Sequence, residues 1–202
     1  MSETIRADWA EKLLAAAERD FATRKRLADS GALWDGYHPE MEAVHAANAD
    51  LLLAAFNAIG WPGRARVGED AARAAFFILQ HAIAKPAVQR KGLALMLDEI
   101  ANGQANATDA AYLADRIAMY EGRGQMFGTQ FDWDENGLLS PAPIADAQNV
   151  ETRRANIGLP PLAAAIAETR ARAAQENEKP PADLAERRAA FEQWARRVGW
   201  RS

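Results

Sequence analysis

The chain has 202 residues, 49% of them hydrophobic and 26% charged, with a formal net charge of −4. That length carries one domain with its own core, and the mild acidity excludes the basic footprint of a nucleic-acid binder as a whole-molecule property. There is no cysteine, which excludes disulfides, thiolate nucleophiles and cysteine metal sites, and the three histidines (His38, His45 and His81) show no zinc-binding spacing.

The opening MSETIRADWAEKLLAAAERD has no basic start followed by an unbroken apolar run, so it does not read as a signal peptide. No stretch approaches the roughly 18 uncharged apolar residues of a membrane span, and the expected location is the cytoplasm. Residues 4–29 read as an amphipathic helix, with Trp9, Leu13, Ala17 and Phe21 four apart. SGALWDGYHPE is a connector, and a second helix over residues 40–59 stops at Gly60 and Pro62. The third helix, 69–84, contains AARAAFFILQHAIA and is apolar almost all round, as a helix central to a fold is. Pro86 opens a fourth, reaching residue 101, with Leu93, Met96, Leu97 and Ile100 on one side. Thr108 is placed to cap a fifth that runs to residue 121.

GQMFGTQFDWDENG then interrupts the helical run. Phe127, Thr129, Phe131 and Trp133 alternate with Gly128, Gln130 and Asp132, the period of a strand, and Asn136-Gly137 is a strong hairpin turn signal. Pro141 and Pro143 keep the return strand short. An isolated hairpin is marginal in water, so its aromatic face must pack on helices. Further helices are expected over 146–156 (starting at Asp146 or Asn149) and 160–174. A proline-bearing polar linker follows, then a last helix over 182–198 with Leu184, Phe191, Trp194 and Val198 on one stripe and Arg187, Arg188, Arg196 and Arg197 beside it. The fold expected is mainly α: a single-domain bundle of seven or eight helices with one short β-hairpin near residues 126–141. Its organisation is a helical domain over 1–170, a linker over 171–181 and a C-terminal amphipathic helix over 182–202.

Polar residues on apolar faces mark the candidate site. Gln80 and His81 lie within the most apolar helix, where burial requires partners for both side chains. His81 reads either as a core histidine tying helices together or as a general acid/base. Asp115 and Arg116 follow each other in AYLADRIAMYEG; neighbours on a helix point about 100° apart, so each needs its own partner. They read as salt bridges to other helices, or as Asp115 orienting His81 while Arg116 holds an anionic group. Asn48 falls on the apolar stripe of the second helix and reads as a structural pin reaching across to another element. Along the hairpin, Gln125 and Thr129 share the aromatic face and Gln130 projects from the other. The glycines form neither a phosphate loop nor a nucleophile elbow.

Taken together, NADLLLAAFNAIGWPGRARVG, FILQHA, YLADRI, GQMFGTQF and VETRRANIGLPPL resemble the landmarks of a bacterial family of unknown function, DUF6624. The resemblance covers roughly residues 40–165 and leaves the first helix and the segment beyond 170 outside it. Phe127 stands where the family usually has tyrosine. The resemblance implies that Gln80, His81, Asp115, Arg116, Gln125, Thr129, Gln130 and Arg153 form one polar constellation, closed by the hairpin against the Gln-His and Asp-Arg helices. It implies no activity. The reading that follows is a protein binding a small molecule or a protein partner through this pocket, with no cofactor, metal, nucleic acid or membrane expected. Two alternatives stand beside it. One is a hydrolase-like enzyme using His81 as acid/base, Asp115 as its orienter, and Arg116 or Arg153 for an anionic substrate. The other is a purely structural hydrogen-bond network.

Overall fold

The computed structural model describes residues 5–34 and 37–202. It is mainly α, with nine α-helices and one two-stranded antiparallel sheet among the described residues. None of these helices is long and apolar enough to cross a membrane. The chain divides into two compact units, residues 1–106 and 107–202.

The first unit holds α1 (Ala7–Asp29), α2 (Pro39–Ile59), α3 (Arg64–Val67), α4 (Glu69–His81) and α5 (Pro86–Ile100). Pro39 sits at the first helical position of α2, and the ring of His38 accepts a hydrogen bond from the Glu40 amide. Gly60 ends the helix at a positive φ, +69°, which glycine adopts without strain. The four-residue α3 carries no apolar period and was not expected from the sequence. α4 is the central element, packed by α1, α2, α3 and α5 through Ala71, Ala75, Ile78 and Leu79. It ends at His81, three residues before the apolar pattern does. The side chain of Gln89 on α5, fully buried, donates to the carbonyls of Leu79 (2.8 Å) and Gln80 (3.1 Å), taking acceptors that a longer α4 would use itself.

α1 buries a stripe different from the one its sequence suggests. Leu13, Ala16, Ala17, Asp20 and Leu27 face inward, while Phe21 is 55% exposed. A row spaced strictly by four drifts about 40° per step, so by Phe21 it has left the core face, and alternation of three and four keeps Asp20 on it. Asn48 donates to the Ala16 carbonyl at 3.0 Å and ties α2 to α1, the reach across to another element that its position on the apolar stripe called for.

The second unit holds α6 (Ala107–Tyr120), β1 (Phe131–Trp133), β2 (Leu139–Pro141), α7 (Val150–Asn156), α8 (Leu162–Gln175) and α9 (Leu184–Val198). Phe131 pairs with Pro141, Asp132 with Ser140 and Trp133 with Leu139. The turn carries Asn136-Gly137, with Gly137 at φ +70°, and is held by Asp134, whose carboxylate accepts from the amides of Asn136 and Leu138 and from the Ser140 hydroxyl. β1 begins at Phe131, not at 127, because the amides just upstream are spent elsewhere. Thr108 lies inside α6, and its hydroxyl donates to the Ile157 carbonyl. Phe191, Trp194 and Trp200 gather around Tyr120 with ring centroids 5.2–5.7 Å away, which packs α9 against the end of α6. Arg188 on α9 reaches Asp132 and the Trp133 carbonyl of β1, and Arg187 pairs with Asp183.

Candidate functional site

In the first unit, three helices bring one carboxylate and two imidazoles together. Asp20 of α1 is fully buried. Its Oδ2 lies 3.0 Å from Nδ1 of His81, the last residue of α4, and 3.2 Å from Nε2 of His45 on α2. The contact with His81 has hydrogen-bond geometry; the one with His45 has the distance without the alignment. Oδ1 of Asp20 has no hydrogen-bond partner among the described residues. On its other side His45 places Nδ1 2.7 Å from the hydroxyl of Tyr37. The result is a line of groups: Tyr37, His45, Asp20, His81. Burial raises the Asp20 carboxyl, but the two imidazoles outweigh burial and hold it well below its ordinary value of 3.8, at about 2. The carboxylate is therefore anionic at neutral pH.

Of the two imidazoles His81 is the nearer to solvent, its side chain one-quarter exposed against 10% for His45. Its ring lies 4.2 Å from that of Phe77, and Phe77 stacks on Phe21 at 4.2 Å. These aromatics lead into a groove of about 600 Å³ on α1 and α4, lined by Leu14, Ala17, Phe21, Arg73, Ala74 and Phe77 among others.

The second unit gathers Asp115, Arg116, Gln125, Thr129, Gln130 and Arg153 in a different arrangement. Asp115, fully buried on α6, accepts from the amides of Met126 (2.7 Å), Phe127 (3.1 Å) and Thr129 (3.0 Å) and from the Thr129 hydroxyl (3.0 Å). Residues 126–129 thus curl around one carboxylate in place of pairing as a strand, and Gly128, at φ +67°, allows the curl. Gln125 and Gln130 face each other, although alternation put them on opposite faces. Nε2 of Gln125 donates to the Gln130 carbonyl, and the Gln130 amide donates back to Oε1 of Gln125, both at 2.9 Å. Arg116 donates to the Gln130 side chain at 3.4 Å. Arg153 donates to the carbonyls of Met126, Ala145 and Asp146 and pairs with the Asp146 carboxylate. Its neighbour Arg154, 2% exposed, donates to the carbonyls of Phe127 (2.5 Å) and Pro160 (2.7 Å).

The carboxylate at His81 is accordingly that of Asp20, whereas Asp115, expected in that role, is occupied by the 126–129 loop. Gln80 lies in the first unit with His81, its side chain partly buried and its carbonyl bonded by Gln89. Sequence reasoning counted His45 only among histidines without zinc-binding spacing and missed Asp20, Tyr37 and Gln89. Local spacing does not encode this cluster, since 61 positions separate Asp20 from His81. The one available signal was Asp20 itself, a carboxylate at the 3.6-residue phase of Leu13, Ala16 and Ala17.

The family described as "Family of unknown function (DUF6624)" matches residues 7–172, and the chain belongs to that family. The match takes in α1, and with it Asp20, which the resemblance over residues 40–165 left outside. No curated protein and no solved structure matches the chain.

Proposed function

We propose that this member of the DUF6624 family is an enzyme of hydrolytic type whose reacting centre is Asp20, His45 and His81, with the Asp115 set serving as scaffold for the 126–130 loop. The observation behind this reading is the meeting of two imidazoles, from two helices, on one oxygen of a fully buried carboxylate. Burying an ionised carboxylate costs several kcal/mol. An apolar side chain at position 20 would complete the α1 stripe without that cost. Ionisable groups held in such surroundings concentrate at functional sites.

The centre gathers one carboxylate, two imidazoles and the Tyr37 hydroxyl, a set that suits activation of water as the nucleophile. Asp20 orients His81 through Nδ1, and Nε2 of His81 makes no hydrogen bond among the described residues, which leaves it to exchange a proton with water or substrate. Substrate approaches along the Phe77–Phe21 ledge, where an apolar group can lie against the rings. In the second unit the polar side chains are spent on backbone partners, which supports scaffolding there in place of the binding pocket first expected.

The test is a panel of chromogenic esters, amides and phosphoesters offered to wild type, His81→Ala and Asp20→Asn. Loss of a general acid/base is expected to lower turnover by about 10²–10⁴-fold. If wild type hydrolyses nothing and both variants only melt earlier, the centre is structural. A compound that stabilises wild type but not His81→Ala, and is not turned over, would make it a binding site.

A further inference from the structure

We infer that Asp20, His45 and His81 form a binding site for one divalent transition-metal ion of the zinc class. The inference concerns the centre of the proposed hydrolytic reading but stands on geometry of its own. Neighbouring ligand atoms in a tetrahedral site with bonds of about 2.0–2.1 Å are roughly 3.3 Å apart. Oδ2 of Asp20 stands 3.2 Å from Nε2 of His45 and 3.0 Å from Nδ1 of His81, and one ligand atom from each residue lies within 4.8 Å of the others. The partial exposure of His81 leaves its ring room to turn and bring the two imidazole nitrogens closer.

Hydrogen bonding alone accounts poorly for the same atoms. Nε2 of His45 faces the carboxylate without the alignment of a hydrogen bond, and Oδ1 of Asp20 is buried with no partner among the described residues. A cation placed between the three side chains uses both nitrogens and the carboxylate at once. Tyr37, 2.7 Å from Nδ1 of His45, is the outer partner that metal-bound histidines characteristically have, and it fixes Nε2 as the inward nitrogen. The donor set decides the class of ion. Two imidazoles and one carboxylate suit zinc and its first-row neighbours, whereas calcium and magnesium take oxygen ligands. Three protein ligands with a position left over is the pattern of catalytic zinc sites. An ion there would supply the acidified water that the hydrolytic reading otherwise asks of Nε2 of His81.

The experiment uses the untagged full chain, stripped with chelator and titrated with Zn²⁺ by calorimetry and with Co²⁺ by visible absorption. One equivalent of either ion should bind, Co²⁺ with tetrahedral d–d bands, and Zn²⁺ should raise the melting temperature. Losing a ligand in His81→Ala or Asp20→Asn should weaken binding by more than about 100-fold, and Tyr37→Phe by about 10–100-fold. His81→Ala, at the exposed edge, decides the matter should the Asp20 variant not fold. Absence of stoichiometric binding, or wild-type affinity in folded His81→Ala, overturns the site. The two readings fail separately. Full turnover by stripped wild type, lost in His81→Ala, removes the metal and leaves His81 as the base. A tight zinc site with no hydrolysis across the panel removes the reaction and leaves the metal.

Discussion

Replacing Asp115 with asparagine tests whether one carboxylate organises the break in the helical chain. Asn preserves shape but turns one oxygen into a donor. In wild type both oxygens accept: Oδ1 from the Met126 and Phe127 amides, Oδ2 from the amides of Phe127 and Thr129 and from the Thr129 hydroxyl. No flip of the amide rescues the site, because either orientation aims an NH₂ group at N–H donors. Hydrogen bonds to a charged group contribute about 1.5–3 kcal/mol each, and a buried donor left unsatisfied costs about 1–3 kcal/mol, so a loss of about 3 kcal/mol is expected after the loop relaxes. For a chain of this size that lowers Tm by roughly 6–12 °C. Thr129→Val, which removes the hydroxyl bond to the carboxylate and keeps the amides, should cost about 1.5–3 kcal/mol. Calorimetry with amide hydrogen exchange reads both stability and place. A cost below about 1 kcal/mol for Asp115→Asn, with wild-type protection at the Met126, Phe127 and Thr129 amides, would show that the carboxylate does not organise the loop.

Three further outcomes are expected. Gly92→Ala on α5 would put a Cβ 2.5 and 2.6 Å from the two methyls of fully buried Leu79 and 3.1 Å from Phe56, so overpacking should exceed the gain in helix propensity, costing about 1–2 kcal/mol in urea denaturation. Arg154→Lys keeps the charge but loses the fork that reaches the Phe127 and Pro160 carbonyls together, and should cost about 1–3 kcal/mol by the same measurement. Asp134 is held below the usual 3.8 by the Leu138 amide and Ser140 hydroxyl, against burial, with the Asn136 amide and Arg170 adding to the effect. Its carboxyl titrates lower when folded than when unfolded, so its contribution is complete above about pH 4 and disappears as pH falls through the folded value. Trp133 fluorescence should report hairpin loosening in that acid range, and Asp134→Asn should abolish the step.

The helices were legible because apolar periodicity and punctuation agree: Gly60 and Pro62 close α2, Pro86 opens α5, and Asn136-Gly137 makes the turn. What was not legible is instructive in two places. Alternation from Phe127 to Trp133 suggested a strand, but a strand needs its amides, and Asp115, distant enough in sequence to be read separately, takes three of them. Asp20 was hidden beside Phe21, because a four-spaced row of large side chains is more visible than the alternation of three and four that buries a helix. Pairing His81 with Asp115 followed from both being polar residues on otherwise apolar helix faces, and Asp20, on a helix read as ordinarily amphipathic, was not singled out.

The packing at Tyr120 bears on how the polypeptide folds as it is synthesised. Arg201 donates to the carbonyls of Met119 and Tyr120 at 2.8 Å, a closure across 81 and 82 positions, and Trp200 lies 3% exposed beside the same ring. α6 therefore leaves the ribosome well before the residues that finish its end, with an aromatic face awaiting its cover. Non-local closure of this kind slows folding and prolongs the exposure of apolar surface. Because these covering residues lie beyond position 172, a shortened chain ending at the family boundary would keep every landmark of the family and lose the closure of its own second unit.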